Sequence, residues 1–345
     1  MAIIDKPSDY FNTVIYTGNA GTQSITGVGF SPDFIWGKNR SSVTHHALVD
    51  TVRGNTKYVK SSTNAAEATI TNMVTAFGSD GFSLGADSDM NGSSANQVAW
   101  NWKAGTSFTN DASATGIGSI DSTGSVNTDA GFSIISYTGT ASAATVAHGL
   151  GAVPKMIIVK TRGSSGDWSV YHSSLGNTKN LKLNTTAAEQ TSASYWNNTT
   201  PTSSVFTIND EGNVNGSSVA MIAYCFAEKQ GYSKFSSYSS NSNADGPFVY
   251  LGFKPAFLIV KCTTAAEGWA IMDSTREPTN DGSFATLSAN TNGSEGSLVI
   301  DFLSNGFKPR QVSGQINKSG SHSYIYMAFA EQPFVTSTGV PATAR

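Results

Sequence analysis

Residues 29–38 read GFSPDFIWGK, residues 151–160 read GAVPKMIIVK, and residues 252–261 read GFKPAFLIVK. Each copy has a glycine, then a proline (Pro32, Pro154, Pro255), an apolar run and a closing lysine (Lys38, Lys160, Lys261). The agreement continues past the lysine without a gap: His46, Trp168 and Trp269 share one position, and Asp50, His172 and Asp273 the next marked one. The chain is therefore three tandem copies of one module of about 100 residues, the size of a small β-sandwich. Proline cannot donate to a strand ladder, so it should stand at the start of a strand or beside its edge. A nearly continuous apolar run after it, such as MIIVK, fits a strand covered on both faces. The lysine is expected to mark the point where that strand reaches solvent.

Outward from this stretch, large and polar residues alternate in FNTVIYTG (11–18) and FSIISYTG (132–139), and in the slipped copy YSKFSSYSS (232–240), as in a half-buried strand before a turn. Each module closes on an apolar, aromatic strand: QVAWNW (97–102), AMIAYCFAE (220–228) and YIYMAFAE (324–331). No capped helix of any length is predicted. The fold class is all-β, three tandem jelly-roll-like β-sandwich modules. The expected layout is a lead-in over 1–8, module 1 over 9–105, a Gly/Ser/Thr-rich linker or long loop over 106–130, module 2 over 131–229, module 3 over 230–334 and a polar tail over 335–345.

Charged residues make up 13% of the 345, about half the usual share, and Ser, Thr, Asn and Gly fill the gap. A net charge of -3 without a basic patch argues against a nucleic-acid partner. The opening MAIIDKPSDY lacks the pattern of a secretory signal, and no apolar run is long enough to span a membrane. Cys225 and Cys262 are expected to be buried free thiols, a bridge between repeats being the alternative.

Five sets of residues carry candidate chemistry. Asp87, Asp89 and Asn91, followed by Gly92, match the first half of a calcium loop, with oxygen side chains at alternate positions before a glycine turn. The match fails where a bidentate glutamate should stand, and only the asparagine recurs (Asn215, Asn317), which equally describes a hairpin turn. Asp50, His172 and Asp273 change type between copies, unlike a catalytic position, and read as polar strand ends; His45–His46 lacks further ligands at metal spacing. Glu67, Glu189 and Glu295 are the carboxylates a glycan-cleaving enzyme would need in pairs, but they fall in separate modules. Among the tryptophans, Trp100, Trp102, Trp168 and Trp269 are expected in cores. Trp196, in the polar loop SYWNNTTP, is the candidate ligand or subunit contact.

These motifs also carry a resemblance. Tyr-Thr-Gly at 16–18, the stretch 29–41, the run 46–54 ending Val-Arg-Gly, Phe-Gly-Ser-Asp-Gly-Phe at 77–82 and the closing 330–345 resemble a repeat family of tailed-bacteriophage virion surface and tail-fibre-like proteins, many of them from marine phages. The likeness covers the whole chain; it is strongest in module 1 and weakest in module 2, which lacks the Asp and Arg of the third motif. It implies a non-enzymatic particle component assembled in the host cytoplasm. The partners it suggests are other virion proteins and host-surface glycan, and a homotrimer is expected. It carries no catalytic residues and no cofactor beyond the calcium candidate. Capsid decoration is the alternative role and glycan depolymerase the third. The three modules of one chain forming a pseudo-three-fold unit is the alternative to the homotrimer.

Overall fold

The computed structural model describes residues 4–340. The repeated stretch forms strands Phe34–Asn39, Met156–Thr161 and Phe253–Cys262, each hydrogen-bonded on both sides within an antiparallel sheet. The register is the same in all three modules. Trp36 lies opposite Trp100 and Leu48, Ile158 opposite Tyr224 and Val170, and Ile259 opposite Met327 and Ile271. Pro32 and Pro154 precede their strands, as expected of a residue without a backbone donor. In module 3 the strand runs through Pro255, and the ladder shifts register on both sides of it. Such a bulge is how a sheet absorbs a proline.

A smaller sheet packs on each main one. In module 1 it is Gln23–Ile25, Gly81–Leu84 and Val74–Gly78; in module 2, Ala144–Ala147 with Val205–Ile208; in module 3, Val249–Tyr250, Gly306–Pro309 and Ile300–Leu303. Side chains alternate along the central strands, and both faces are buried. Ile35, Ile157 with Val159, and Leu258 with Val260 fill the interiors of their own sandwiches. Phe34 with Trp36, Met156 with Ile158, and Phe257 with Ile259 point the other way, into one core shared by all three modules. Aromatic rings cross every boundary in that core: Phe34 to Tyr224 at 4.4 Å, Trp102 to Phe257 at 5.6 Å and Phe226 to Phe329 at 6.1 Å. Such pairs add about 0.5–1.5 kcal/mol each beyond the area they bury. The void left beside Phe34, Trp36, Tyr224 and Met327 is only about 10 Å³, at the limit for one water, so the junction is filled and is no channel.

Two expectations change. Residues 106–130 are not a free linker: strands Thr106–Asn110 and Ser122–Asn127 form a hairpin that joins the module 2 sheet beside Phe132–Thr138. The ladder needs only backbone groups, so a Ser/Thr/Gly sequence with few large residues can still supply two strands. The lysines are not at solvent either. Lys38, Lys160 and Lys261 are fully buried, because they share the parity of Phe34, Ile158 and Phe257 and face a neighbouring module. Helices among the described residues are single turns of three or four residues, and none could cross a membrane. Both cysteines are buried free thiols. Residues 341–345 of the expected tail, and 1–3 of the lead-in, lie outside the described residues.

Candidate functional site

The polar residues that recur in repeat register meet at the three junctions between modules. Each junction uses the same backbone contact, module 2 onto 1, 3 onto 2 and 1 onto 3, which closes a ring. The backbone N–H groups of Glu67, Glu189 and Glu295 donate to the carbonyls of Arg162, Thr263 and Arg40, at 3.0, 2.8 and 2.9 Å. Trp168 and Trp269 donate their indole N–H to the carbonyls of Lys60 and Lys182, at 2.9 and 3.0 Å. At the equivalent place His46 Nε2 lies 3.1 Å from the Ser288 carbonyl, while its Nδ1 accepts from Trp36.

Burial dictates the rest of the chemistry. Lys160 Nζ donates to the carbonyls of Gly166 and Asn64, at 2.8 and 3.2 Å, and Lys261 Nζ to those of Glu267 and Thr186, at 2.6 and 2.9 Å. Lys38 Nζ donates to the Asn39 and Ser42 carbonyls. Loss of water pushes all three ammonium groups down to about 8. Asp50 and Asp273 each hold a fully buried arginine three residues on, Arg53 at 2.6 Å and Arg276 at 2.5 Å. Each also accepts from a neighbouring module: Tyr224 Oη reaches Asp50 at 2.8 Å, and Trp100 Nε1 reaches Asp273 at 2.9 Å. The arginines continue to Glu67 and Glu295, which are clasped again across the boundary by Arg162 and Arg40. Burial raises the cost of ionising Glu295, but Arg40 and Arg276 outweigh it and hold the carboxyl below its usual range.

At the junction of modules 3 and 2 the set is different. His172 replaces the aspartate and Leu175 the arginine, and Met327 stands in register with Trp100 and Tyr224. A methionine side chain cannot donate to a carboxylate, so an aspartate there would lack the partner that its counterparts have. His172 instead meets the backbone carbonyl of Tyr326 at 3.2 Å, and burial lowers its pKa to about 4, keeping it neutral. Most of the repeat-register Asp, His, Glu, Arg and Lys side chains thus fix the ring, the exceptions being Lys38 and Glu189, whose side chains bond within their own modules. The sequence missed this role because the partners are supplied by other modules.

The calcium candidate is not assembled. Asp87 accepts from the backbone of Asp89 and caps the turn Ser88–Asn91, while Asn91 points inward with its amide donating to the carbonyls of Gly21 and Gly85. Asn215 and Asn317 brace the matching loops in the same way, which explains why only the asparagine recurs. No group of three or more His, Cys, Asp or Glu among the described residues is placed to hold a metal ion. Trp196 is not exposed either. Ser192 caps the turn Ala193–Trp196, which swings Trp196 into the module 2 core, edge-on to Tyr171 at 5.8 Å.

The open surfaces are therefore the candidate sites. The hairpin added to module 2 creates a groove of about 710 Å³ lined by hydroxyls, among them Ser122, Thr123, Ser136, Thr138 and Ser218, with Asp121 at its rim. Residues 6–333 match the family model described as a domain of unknown function, DUF7483. The chain belongs to the DUF7483 family. The match spans all three modules and the hairpin between the first two, so the DUF7483 unit is the complete ring rather than one repeat. No curated protein matches the chain.

Proposed function

We propose that the chain is a non-enzymatic structural protein on the surface of a tailed-bacteriophage particle, acting by adhesion to host-surface glycan as a tail-fibre or receptor-binding component. One observation carries this reading. The charged chemistry written into the repeat is committed to internal junctions, which leaves a rigid three-sandwich body whose outer faces differ from module to module. A body of this kind presents ligand surfaces without ordering itself on binding, which lowers the entropic cost of adhesion. The hydroxyl-rich groove of module 2 and the weakly charged surface suit an uncharged polyhydroxyl partner. The calcium ion and the contact at Trp196 form no part of the proposal.

The ring itself favours a second reading, capsid decoration, since a three-fold body made from one chain matches a three-fold position in a lattice. It also supplies within one chain the symmetry that a homotrimer would supply, and we take the chain of 36.1 kDa as the functional unit. Labelling particles with an antibody to the protein and imaging them by electron microscopy tests these readings together. Label at the tail tip is expected; a regular lattice on the head would replace adhesion with decoration, and particles without label would sink both. Light scattering at three times the chain mass would restore the homotrimer. New reducing ends after incubation with host polysaccharide would overturn the non-enzymatic reading.

A further inference from the structure

Module 3 carries a feature that the other two lack. Phe248 and Tyr250 are 48% and 52% exposed, and they are the two exposed aromatic side chains among the described residues. Tyr250 lies on the outer face of the small sheet and Phe248, one residue before the strand, is also turned outward, while Val249 between them is buried in the sandwich. At the position of Tyr250, modules 1 and 2 have Gly27 and Gly149, both with positive φ.

The two rings are laid down on backbone rather than left standing. Phe248 lies over Gly306, where an added Cβ would come within 3.0 Å of the ring. Tyr250 lies over Gly252, with the Lys234 ammonium 5.1 Å from the tyrosine ring centre and donating to the Tyr250 carbonyl. On the same outer side are Lys308 and Arg310, 2.9 and 2.6 Å from Asp245, with Asp301 3.5 Å from Arg310. The four charges of this cluster compensate one another and Lys234 adds a single positive charge beside Tyr250, so the rim offers hydrogen-bond groups with little net field.

We propose that this face of module 3 is a saccharide-stacking platform, in which Phe248 and Tyr250 hold the C–H faces of sugar rings and the Asp245–Lys308–Arg310 cluster bonds the hydroxyls. Sugar C–H groups are weakly positive, and an aromatic face is negative. A charge-compensated rim suits a neutral polyhydroxyl ligand better than an anion or a cation. The size points the same way. At about half of the roughly 150–250 Å² an aromatic side chain can bury, the two rings offer on the order of 200 Å². A stable protein partner or second copy needs about 800 Å². The proposal rests on the adhesion reading and deepens it, giving that reading a site distinct from the module 2 groove.

The test is titration of the full chain, followed by NMR or calorimetry, with cellohexaose, maltohexaose and chitohexaose up to about 10 mM, where even binding of roughly -3 kcal/mol is visible. Binding of at least one is expected, weakened at least tenfold in Phe248→Ala and in Tyr250→Ala and unchanged in the groove variant Thr123→Ala/Thr138→Ala. Both ring variants are at the surface, and a melting temperature within a few degrees of the parent is expected, which separates lost binding from lost folding. Binding that survives the ring variants and disappears in the groove variant overturns the platform and leaves glycan adhesion standing. No binding of any of the three overturns the platform and removes the support for glycan adhesion with it. Self-association that disappears in the ring variants would assign the face to a second copy of the chain and overturn the platform.

Discussion

The two junctions that module 1 makes and the one between modules 3 and 2 share a backbone plan and differ in charge. Module 1 meets module 2 through Asp50, Arg53, Glu67 and Arg162, and meets module 3 through Asp273, Arg276, Glu295 and Arg40. Modules 3 and 2 meet through a neutral histidine, a leucine and backbone carbonyls, one of which accepts from the Lys261 ammonium, with no ion pair across the boundary among the described residues. The difference shows that the residue at the Asp50 and Asp273 position follows the partner the next module supplies, aspartate where that module donates and a neutral histidine where it does not. Where module 3 supplies methionine in place of a donor, the Asp–Arg pair has been replaced by histidine and leucine, and Glu189 pairs instead with Lys179 of its own module. A buried ion pair is poor evidence of net stability over an apolar substitute, while half of such a pair is costly.

The most demanding test writes half of the charged set into the neutral junction. His172→Asp should destabilise by about 3–5 kcal/mol, the cost of an unpaired buried charge, read from urea or thermal unfolding. Adding Leu175→Arg to that variant should recover a large part of the loss, and failure to recover any would show that the Asp–Arg motif does not transfer between junctions. Leu175→Arg alone, without the aspartate, should also destabilise. Removing half of an existing set, by Arg53→Ala or Arg276→Ala, should cost about as much as His172→Asp. A smaller effect is expected from Tyr224→Phe, which leaves the Asp50–Arg53 pair in place but removes the hydroxyl that donates to Asp50 and accepts from Arg53; each such charge-assisted hydrogen bond is worth about 1.5–3 kcal/mol.

The pH profile separates the junctions in another way. His172 is neutral in the folded ring down to about pH 4, whereas an unfolded histidine takes its proton near 6.5. The unfolded chain therefore binds more protons in that window, so stability is full above about pH 6.5 and falls as pH drops toward 4. His46, lowered to about 3 by burial first and then by Lys38, extends the loss further. His172→Gln should flatten the upper part of this slope. The lysines act at the other end: they lose protons near 8 when folded and near 10.5 when unfolded, so stability should rise with pH between those values. Above about pH 10 the buried tyrosines, whose pKa values burial raises, pull the other way. Lys160→Met should remove part of the alkaline rise, a small change measurable as the melting temperature at pH 7 against pH 9.5.

The fold was legible because strand parity and the repeat are both local properties of a sequence. Three aligned copies of Gly, Pro and an apolar run placed the central strands, and the all-β class followed. The lysines were misplaced by reading polarity instead of parity: Phe34, Trp36 and Lys38 point one way, and if two of them are core the third faces the same neighbour. The unbroken apolar run already implied that both faces are covered, and what covers the second face is the rest of the chain. Residues 106–130 were missed because only Phe108, Ile120 and Val126 anchor that hairpin to the module 2 core and the rest of it is held by backbone bonds. Trp196 was missed because a single capped turn can carry an aromatic side chain inward from a polar segment. Of the candidate surfaces, Tyr250 was legible in principle, since it stands where two copies have glycine, whereas Phe248 stands where they have Ile25 and Ala147 and gives no such signal; the groove was not legible, since it needs the hairpin in place.

The shared aromatic core also sets a schedule for synthesis. Modules 1 and 2 can bury their own interiors as they leave the ribosome, but Phe11, Trp100, Trp102 and Phe226 each pack on a face that is complete only when Phe257 and Phe329 arrive. At about 5–20 residues per second the roughly 100 residues of module 3 take on the order of 5–20 s to emerge. For that interval the nascent chain carries an uncovered aromatic wall, the kind of surface that chaperones hold and that other nascent chains stick to. A chain truncated after module 2 would keep that wall permanently, and insolubility is its expected fate.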